Sequence, residues 1–271
     1  MGYKQCFDGD DAMSIEVDRL TVRRLKATVL RDVSLQIQDG QCVSIIGPNG
    51  AGKSTLMSAM VNMLPIPKGR VLLDGKPLHR YKRRDIARRI AYVPQWMDGY
   101  MGFRVREVIE SGRYAHLEPL ESLSEQDRLA VDEAVAACKV TSLLDRRVET
   151  LSGGERQKVW IAAALAQQAP TLFLDEPTNA LDPAHQADLI RIMRAFAGRG
   201  GTLVVICHDL NLALALGGRV VALHQGAIFF DESVEVLRDT RRLADLFGTD
   251  FVLHESQDRR SFSVHLQLED R

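Results

Sequence analysis

Residues 47–55 have the residue types and spacing of a phosphate-binding loop. They follow the pattern G-x-x-x-x-G-K-[S/T], in which the backbone N–H groups of a glycine-rich turn surround phosphate oxygens. At such a site Lys53 would reach the β- and γ-phosphates of a nucleotide, and the Ser54 hydroxyl would bind Mg²⁺. The other loop residues expected to contact the nucleotide are Gly47, Asn49, Gly50, Ala51, Gly52 and Thr55.

The segments on either side of this loop have the local structure that the role requires. Residues 41–46 have the apolar composition of a buried strand, and residues 54–61 that of a helix. The helix N-terminus, with its partial positive charge, would then face the phosphates. The alternative is a glycine-rich turn that binds nothing, but a strand before it and a helix after it favour nucleotide binding.

Strand and helix patterns alternate along most of the chain, which favours a mostly parallel sheet. Apolar alternation predicts strands at residues 15–22 and 33–37, and helical spacing dominates from about residue 96 to 150. Further segments follow in the order helix 156–168, strand 171–176, helix 183–197 and strand 202–207. Because ligands gather at the carboxyl ends of parallel strands, we expect one crevice to be faced by Gly47, Gln95, Asp175 and His208.

The composition limits the classes of protein to consider. Of the 271 residues, 45% are hydrophobic and 26% are charged, and the net charge is −1, so no overall field attracts nucleic acid or acidic lipid. No apolar run approaches the ~20 residues that span a bilayer, and no apolar signal segment begins the chain, so we expect a cytosolic protein. Cys42 and Cys207 are interpreted as small buried strand residues, not as ligands or disulfide partners.

A basic run at residues 79–84, continued by Arg88 and Arg89, has two interpretations. It is either a patch for nucleic acid or lipid headgroups, or the solvated face of a helix. The net charge near zero and the lack of an aromatic platform favour the solvated helix.

Several further motifs resemble those of the ATPase subunits of ABC transporters, and the resemblance covers roughly residues 14–271. Residues 151–155 (LSGGE) are similar to the ABC signature, and residues 172–176 (LFLDE) to the Walker B strand. Gln95 stands at the position of the Q-loop glutamine and His208 at that of the switch histidine. Residues 179–182 (NALD) resemble the D-loop.

The resemblance implies a role for each motif. Asp175 would hold Mg²⁺ directly or through water, with Ser54 and the metal-sensing Gln95. The catalytic residues would be Glu176, which polarises the attacking water, together with His208 and Lys53. The signature residues would head a helix that clamps the γ-phosphate of the nucleotide held by the opposite subunit; they are Ser152, Gly153, Gly154 and Glu155.

The resemblance also implies a fold and a division of the chain. The fold is α/β, with a P-loop NTPase (RecA-like) core, an antiparallel β subdomain and an inserted helical subdomain. Residues 1–13 would form a flexible leader, residues 14–240 the ATPase domain with its helical subdomain at about 96–155, and residues 241–271 a short C-terminal extension.

One position departs from the family pattern. The loop after the first strand usually provides an aromatic residue that stacks on adenine, but Arg24 stands there in this sequence. A guanidinium plane also stacks on a base, so ATP is still expected, with the selectivity for the base open.

The resemblance is greatest to the subunits that power import of iron–siderophore, haem and cobalamin complexes. It rests on residues 105–114, which end in Gly-Arg-Tyr, and on the tail at 243–264. The implied cofactors are ATP and Mg²⁺. The implied partners are a second ATPase subunit, identical or paired, the transmembrane permease, and indirectly a substrate-binding protein, at the cytoplasmic face of the inner membrane. A groove for the permease would be lined by Trp96, Met97, Tyr100, Met101 and Phe103.

Other interpretations differ in class. The alternative cargo is another metal chelate or an oxyanion. DNA-repair and chromosome ATPases share these motifs but insert long coiled coils or zinc modules, and the chain has neither heptads nor paired cysteines there. A translation factor of the superfamily would carry two cassettes, and a simple P-loop kinase has no use for the signature.

Overall fold

The computed structural model describes residues 13–24, 27–95, 102–179, 181–255 and 262–267. Within these ranges strands and helices alternate as the sequence predicts. The strands are β1 (Ile15–Arg24), β2 (Ala27–Ile37), β3 (Cys42–Ile46), β4 (Lys68–Leu73), β5 (Lys76–Pro77), β6 (Ile90–Val93), β7 (Thr171–Asp175), β8 (Thr202–Ile206), β9 (Arg219–His224), β10 (Ala227–Ser233), β11 (Phe251–Glu255) and β12 (Phe262–Leu266). The α-helices are α1 (Lys53–Met60), α2 (Arg83–Ala87), α3 (Val105–Ser111), α4 (Glu125–Cys138), α5 (Gly153–Ala166), α6 (Pro183–Ala197), α7 (Leu210–Leu216) and α8 (Thr240–Phe247).

The central sheet has six strands in the order β10-β9-β3-β8-β7-β6. Strands β9, β3, β8, β7 and β6 are parallel, and β10 is antiparallel to β9. The carboxyl ends of β3, β6, β7 and β8 therefore lie along one edge of the sheet. The mostly parallel sheet predicted from the alternating pattern is confirmed.

Two hydrophobic cores lie on opposite faces of this sheet, because successive side chains of a strand alternate between its faces. Ile46 and Leu174 pack in the core that contains α3 to α8. Ile45 and Phe173 pack in the core that contains α1 and the second sheet. This packing on both faces fixes the strand ends and, with them, the loops that carry the predicted site.

The second sheet is antiparallel, in the order β2-β1-β4-β5. A hairpin turn joins β4 and β5, in which Asp74 and Gly75 have φ angles of 52° and 70°. Met13, which the sequence analysis assigns to the leader, is 3% exposed and packs in the core beneath this sheet. The antiparallel β region of the predicted fold class is confirmed.

Helices α3 and α4 lie between β6 and β7, in the interval predicted to be helical. Arg113, in the short 3₁₀ turn Gly112–Ala115, donates from Nε to Asp127 Oδ1 of α4 at 2.8 Å. Its Nη1 donates to Ala166 O, at the end of α5, also at 2.8 Å. Arg113 and Asp127 are 6% and 5% exposed, so this buried ion pair joins the inserted helices to the core helix α5.

Helix α5 begins at Gly153, three residues before the position predicted from its apolar spacing. The reason is the cap at Ser152, whose hydroxyl accepts from Glu155 N at 3.2 Å. Ser152 N in turn donates to Glu155 Oε2 at 2.8 Å, which completes a capping box. The glycines of the signature therefore belong to the first helical turn.

The remaining expectations from composition concern cysteines and membrane segments. Cys207 is 1% exposed and directly follows β8, while Cys42, at the start of β3, is only partly buried. Burial raises the pKa of Cys207 to about 12 and that of Cys42 to about 11. None of the described helices has the combined length and apolar character needed to cross a bilayer.

Candidate nucleotide-binding and hydrolysis site

The loop between β3 and α1 depends on glycine for both its conformation and its packing. Gly47, Gly50 and Gly52 have φ angles of 142°, 78° and 103°. A Cβ at Gly47 would lie 2.1 Å from Leu223 O of β9, and one at Gly52 would lie 2.9 Å from Val29 O of β2. Only glycine fits such positions, so packing against β9 and β2 sets the shape of the loop.

Lys53, the first residue of α1, lies inside the curve of this loop and is 6% exposed. Its Nζ donates to Gly47 O at 2.8 Å and to Pro48 O at 3.0 Å. Burial lowers the pKa of Lys53, while the carboxylates of Glu176 and Asp175 act in the opposite direction. The ammonium group is thus held where the predicted phosphates would need a cation.

Ser54 and Asp175 meet across 121 positions of sequence, with Ser54 Oγ donating to Asp175 Oδ1 at 3.3 Å. Asp175 ends β7 and is 3% exposed. Burial is the main cause that raises its pKa, and the charge of Glu176 adds to the effect, whereas the Ser54 hydroxyl and Lys53 oppose it. A hydroxyl and a carboxylate oxygen side by side fit Mg²⁺, which completes its octahedron with phosphate oxygens and water.

Glu176 follows β7 with a φ of 52°, a left-handed angle that is uncommon for a residue with a side chain. Its backbone N donates to Ile206 O at 3.2 Å, which ties the turn to β8. The Glu176 side chain is 8% exposed and is contacted by His208 Nε2 at Oε1. Its Oε2 accepts from Gln95 Nε2 at 2.6 Å and from Asn179 Nδ2 at 3.4 Å.

The structure therefore brings six of the predicted residues to one edge of the sheet, namely Lys53, Ser54, Gln95, Asp175, Glu176 and His208. Gln95 was grouped with the metal ligands, but its amide lies on Glu176 rather than on the Ser54–Asp175 pair. This contact links the Q-loop to the predicted catalytic base. These side chains meet at the carboxyl ends of the strands, where the crevice is expected.

The signature residues form a separate, exposed group. Ser152 and Gly153 are exposed, and within the described part of the chain the Ser152 side chain bonds only to Glu155. The pKa of Glu155 is lowered, chiefly by the hydrogen bond from Ser152 N. Arg146 supports this turn by donating to Thr150 O at 2.7 Å and to Glu155 Oε1 at 3.3 Å. No local pattern in the sequence indicates this role of Arg146.

Arg24 ends β1 and is exposed, with Ala27 of β2 as its pairing partner. The hairpin that carries it lies beside the phosphate loop, because Gly52 packs on Val29 and Leu30 of β2. Arg24 therefore belongs to the element next to the loop, as stacking on a base would require.

The basic run forms a 3₁₀ turn (Leu78–Arg80) and the short helix α2. It is therefore not the face of one continuous helix. Arg84 and Arg88 both donate to Ala115 O, at 2.9 and 2.8 Å. Arg89 pairs with Asp74. Three of the five arginines thus hold neighbouring segments together, which argues against an anion-binding patch.

Comparison with known sequences gives a consistent result. The sequence model of the family described as "ABC transporter" matches residues 30–179. The hemin import ATP-binding protein HmuV of Pseudomonas fluorescens (strain Pf0-1) is 40% identical over 251 residues, covering 90% of this chain and 96% of the relative. The ferric enterobactin transport ATP-binding protein FepC of Escherichia coli (strain K12) is 38% identical over 212 residues, 78% of each chain.

Solved structures confirm the predicted fold class. An inward-facing metal-chelate type ABC transporter superposes with a TM-score of 0.80 at 23% identity, covering 94% of this chain and 96% of that chain. The dimeric MJ0796 cassette of a bacterial ABC transporter superposes with a TM-score of 0.72 at 25% identity, covering 81% of this chain and 98% of that chain.

Proposed function

Because the chain belongs to the ABC transporter family, we propose that it is the ATP-binding and hydrolysing subunit of an importer for iron–siderophore, haem or cobalamin complexes. The names of the relatives support haem and siderophore cargo. The contact between Ser54 Oγ and Asp175 Oδ1 carries the enzymatic part of the proposal, since it joins the loop to the acidic strand end. We retain the predicted division into leader, ATPase domain and extension as part of the proposal.

ATP is the substrate that we assign to the loop. Mg²⁺ would supply charge neutralisation at the β- and γ-phosphates, and Ser54 and Asp175 are the residues that would hold it. Lys53 contributes a buried ammonium inside the loop, close to the same phosphates. Such fixed charges in a water-poor site stabilise the charge that spreads over the transferred phosphoryl group.

Glu176 is the residue that we assign to the attacking water. Both of its oxygens are engaged by side chains, one by His208 and the other by Gln95. A water molecule therefore reaches this carboxylate only in competition with those contacts. Movement of Gln95 or His208 would release the base, which gives the Q-loop and the switch histidine a direct means of controlling hydrolysis.

A complete site would require two ATPase subunits, identical or paired. The support is the exposed helix N-terminus at Ser152 and Gly153, whose groups point to a ligand outside this chain's own loop. The dimeric cassette at 25% identity gives a precedent for such pairing. Each nucleotide would lie between the loop of one subunit and the signature of the other.

The permease is the partner that we assign to a cleft of about 420 Å³ beside α3, lined by Phe103, Glu107, Glu110, Ser111 and Tyr114. Phe103 and Tyr114 are 48% and 67% exposed there. The other groove residues expected from sequence, Trp96, Met97, Tyr100 and Met101, lie outside the described residues. This docking would hold the subunit at the cytoplasmic membrane face, with the substrate-binding protein as an indirect partner.

The test is reconstitution of the chain with its permease and binding protein in vesicles. We expect ATP-dependent uptake of a ferric siderophore, haem or cobalamin, and none when Lys53→Ala replaces the wild-type chain. A Lys158→Ala variant is the control for loss of a lysine away from the loop. Uptake of an oxyanion instead, or ATP hydrolysis that no cargo-loaded binding protein stimulates, would contradict the proposed cargo class.

A further inference from the structure

His185 holds the end of the D-loop through two hydrogen bonds. Its backbone N donates to Asp182 Oδ1 at 2.9 Å, and its Nδ1 lies 2.6 Å from Asp182 Oδ2. Asp182 is the N-cap of α6, so the backbone bond alone satisfies the cap. The imidazole bond is additional, and it fixes the ring against the D-loop.

The opposite side of this contact is the head of α5. A Cβ built on Gly154 would lie 2.7 Å from both Cγ and Cδ2 of His185. The ring therefore packs directly on the Cα of a signature glycine, within the first turn of the helix. One side chain thus touches both the D-loop and the signature of the same chain.

The D-loop is also connected to the predicted catalytic base. Asn179 N donates to Glu176 O at 3.2 Å, and its Nδ2 donates to Glu176 Oε2 at 3.4 Å. Gln186 Nε2 holds the middle of the segment by donating to Leu181 O at 3.2 Å. Contacts therefore extend from Glu176 through the D-loop and His185 to Gly154.

We propose that His185 is a positioning residue that fixes the signature of one chain to its own D-loop and base, so that the two nucleotide sites of a dimer respond together. The inference rests on the proposed two-subunit ATPase. Glu176 serves the nucleotide in its own loop, whereas Gly154 serves the nucleotide of the opposite subunit. These contacts between them would make the geometry at one site depend on the occupancy of the other.

The test compares full-length variants in steady-state ATP hydrolysis over a range of ATP concentrations. His185→Phe keeps a ring against Gly154 but removes the donor to Asp182. We expect its Hill coefficient to fall from about 2 towards 1 and its kcat to fall roughly tenfold. ATP affinity in the absence of Mg²⁺ stays at the wild-type value, because the loop itself is untouched. His79→Phe makes the same change at an exposed site and serves as the control.

A second pair covers the case in which His185→Phe fails to fold. His185→Asn places an amide donor where Nδ1 stands and keeps cooperativity, whereas His185→Gln displaces the donor by one methylene and loses it. A wild-type Hill coefficient in His185→Gln, or in a folded His185→Phe, would overturn the inference and leave the proposed function intact. A Hill coefficient of 1 in the wild-type chain, with full activity as a monomer, would overturn both.

Discussion

Two regions of the molecule each place polar side chains at a helix N-terminus. The loop edge (Lys53, Ser54, Asp175 and Glu176) and the signature head (residues 151–155) differ in burial and in contacts. At the loop edge, Lys53, Asp175 and the Glu176 side chain are buried, Ser54 contacts Asp175, and both Gln95 and His208 contact Glu176. At the signature head, Ser152 and Gly153 are exposed, and the polar contacts stay within the turn and its neighbour Arg146. The side chains of the loop edge face one another, whereas the signature head exposes a helix N-terminus to solvent. In the proposed dimer, each chain thus carries two different halves of a site.

The sharpest test of the loop edge is Glu176→Gln. The amide retains the size of the side chain but cannot polarise water, so we expect turnover to fall by about 10²–10⁴-fold while ATP binding persists. Steady-state hydrolysis and equilibrium nucleotide binding measure the two effects. Glu235→Gln, at an exposed surface pair, is the control. Hydrolysis within about threefold of wild type would remove Glu176 from this role.

Mixing two inactive variants tests whether the two halves act across chains. Lys53→Ala damages the loop edge, and Ser152→Asp keeps a helix cap while placing negative charge beside the phosphates. We expect each alone to be nearly inactive and an equal mixture to recover up to about a quarter of the wild-type rate, since half of the dimers hold one intact site. No recovery despite formation of mixed dimers would mean that both sites must be intact for hydrolysis, or that the halves act within one chain.

Asp127→Asn tests the support of the helices that carry the signature, since Arg113 joins Asp127 of α4 to the C-terminal end of α5. The change leaves Arg113 buried without its charge partner, which costs about 3–5 kcal/mol of stability. Hydrogen exchange should accelerate in α4 and the C-terminal end of α5 more than in residues 42–60. Asp132→Asn, exposed on the same helix, is the control. Equal acceleration in both regions would show that the two halves unfold as one unit.

The same pair gives a pH dependence. Burial acts to raise the pKa of Asp127, but the hydrogen bonds from Ser124 and Arg113 outweigh it, so the pKa is lowered. A lowered carboxyl pKa contributes stability above the unfolded value near 4, and this stability is lost as the pH falls through the folded pKa. The wild-type chain should therefore lose more stability below about pH 4 than Asp127→Asn does, as measured by denaturant unfolding at each pH.

The smallest expected effect is on ATP affinity and concerns Arg24, at the end of β1 beside the phosphate loop. If Arg24 stacks on the base, Arg24→Ala weakens ATP binding by roughly 0.5–2 kcal/mol, and Arg24→Tyr keeps or improves it. Titration calorimetry measures both. Arg23→Ala, the exposed neighbour on β1, is the matched control. Unchanged affinity in Arg24→Ala would show that the guanidinium points elsewhere.

The sequence predicted the loop edge better than the signature head, for a physical reason. The glycines and Lys53 act through local backbone geometry, so their spacing alone indicates the loop. The order of strands then predicts that Asp175 and His208 reach the same edge. The contacts that hold the signature head are different, because they join residues that no local pattern relates. The packing of His185 on Gly154 belongs to this class.

Some local details were also beyond the sequence. The start of α5 was missed because its apolar spacing begins later than its cap, although Ser152 and Glu155 form a recognisable capping box. The left-handed conformation of Glu176 has no sequence signal, since glycine or asparagine is the usual residue at such an angle. Met13 was assigned to the leader from the composition around it, and only the packing beneath the second sheet reveals its burial.

The hydrogen bonds of Lys53 have a consequence for the protein in the cell. An ammonium group has three protons, and two of them are bound by Gly47 O and Pro48 O of its own loop. The lysine thus stabilises the loop through two of its protons and keeps the third for a phosphate. We expect the loop to keep its shape when cellular ATP is depleted, so that the subunit recovers as soon as energy returns, without refolding.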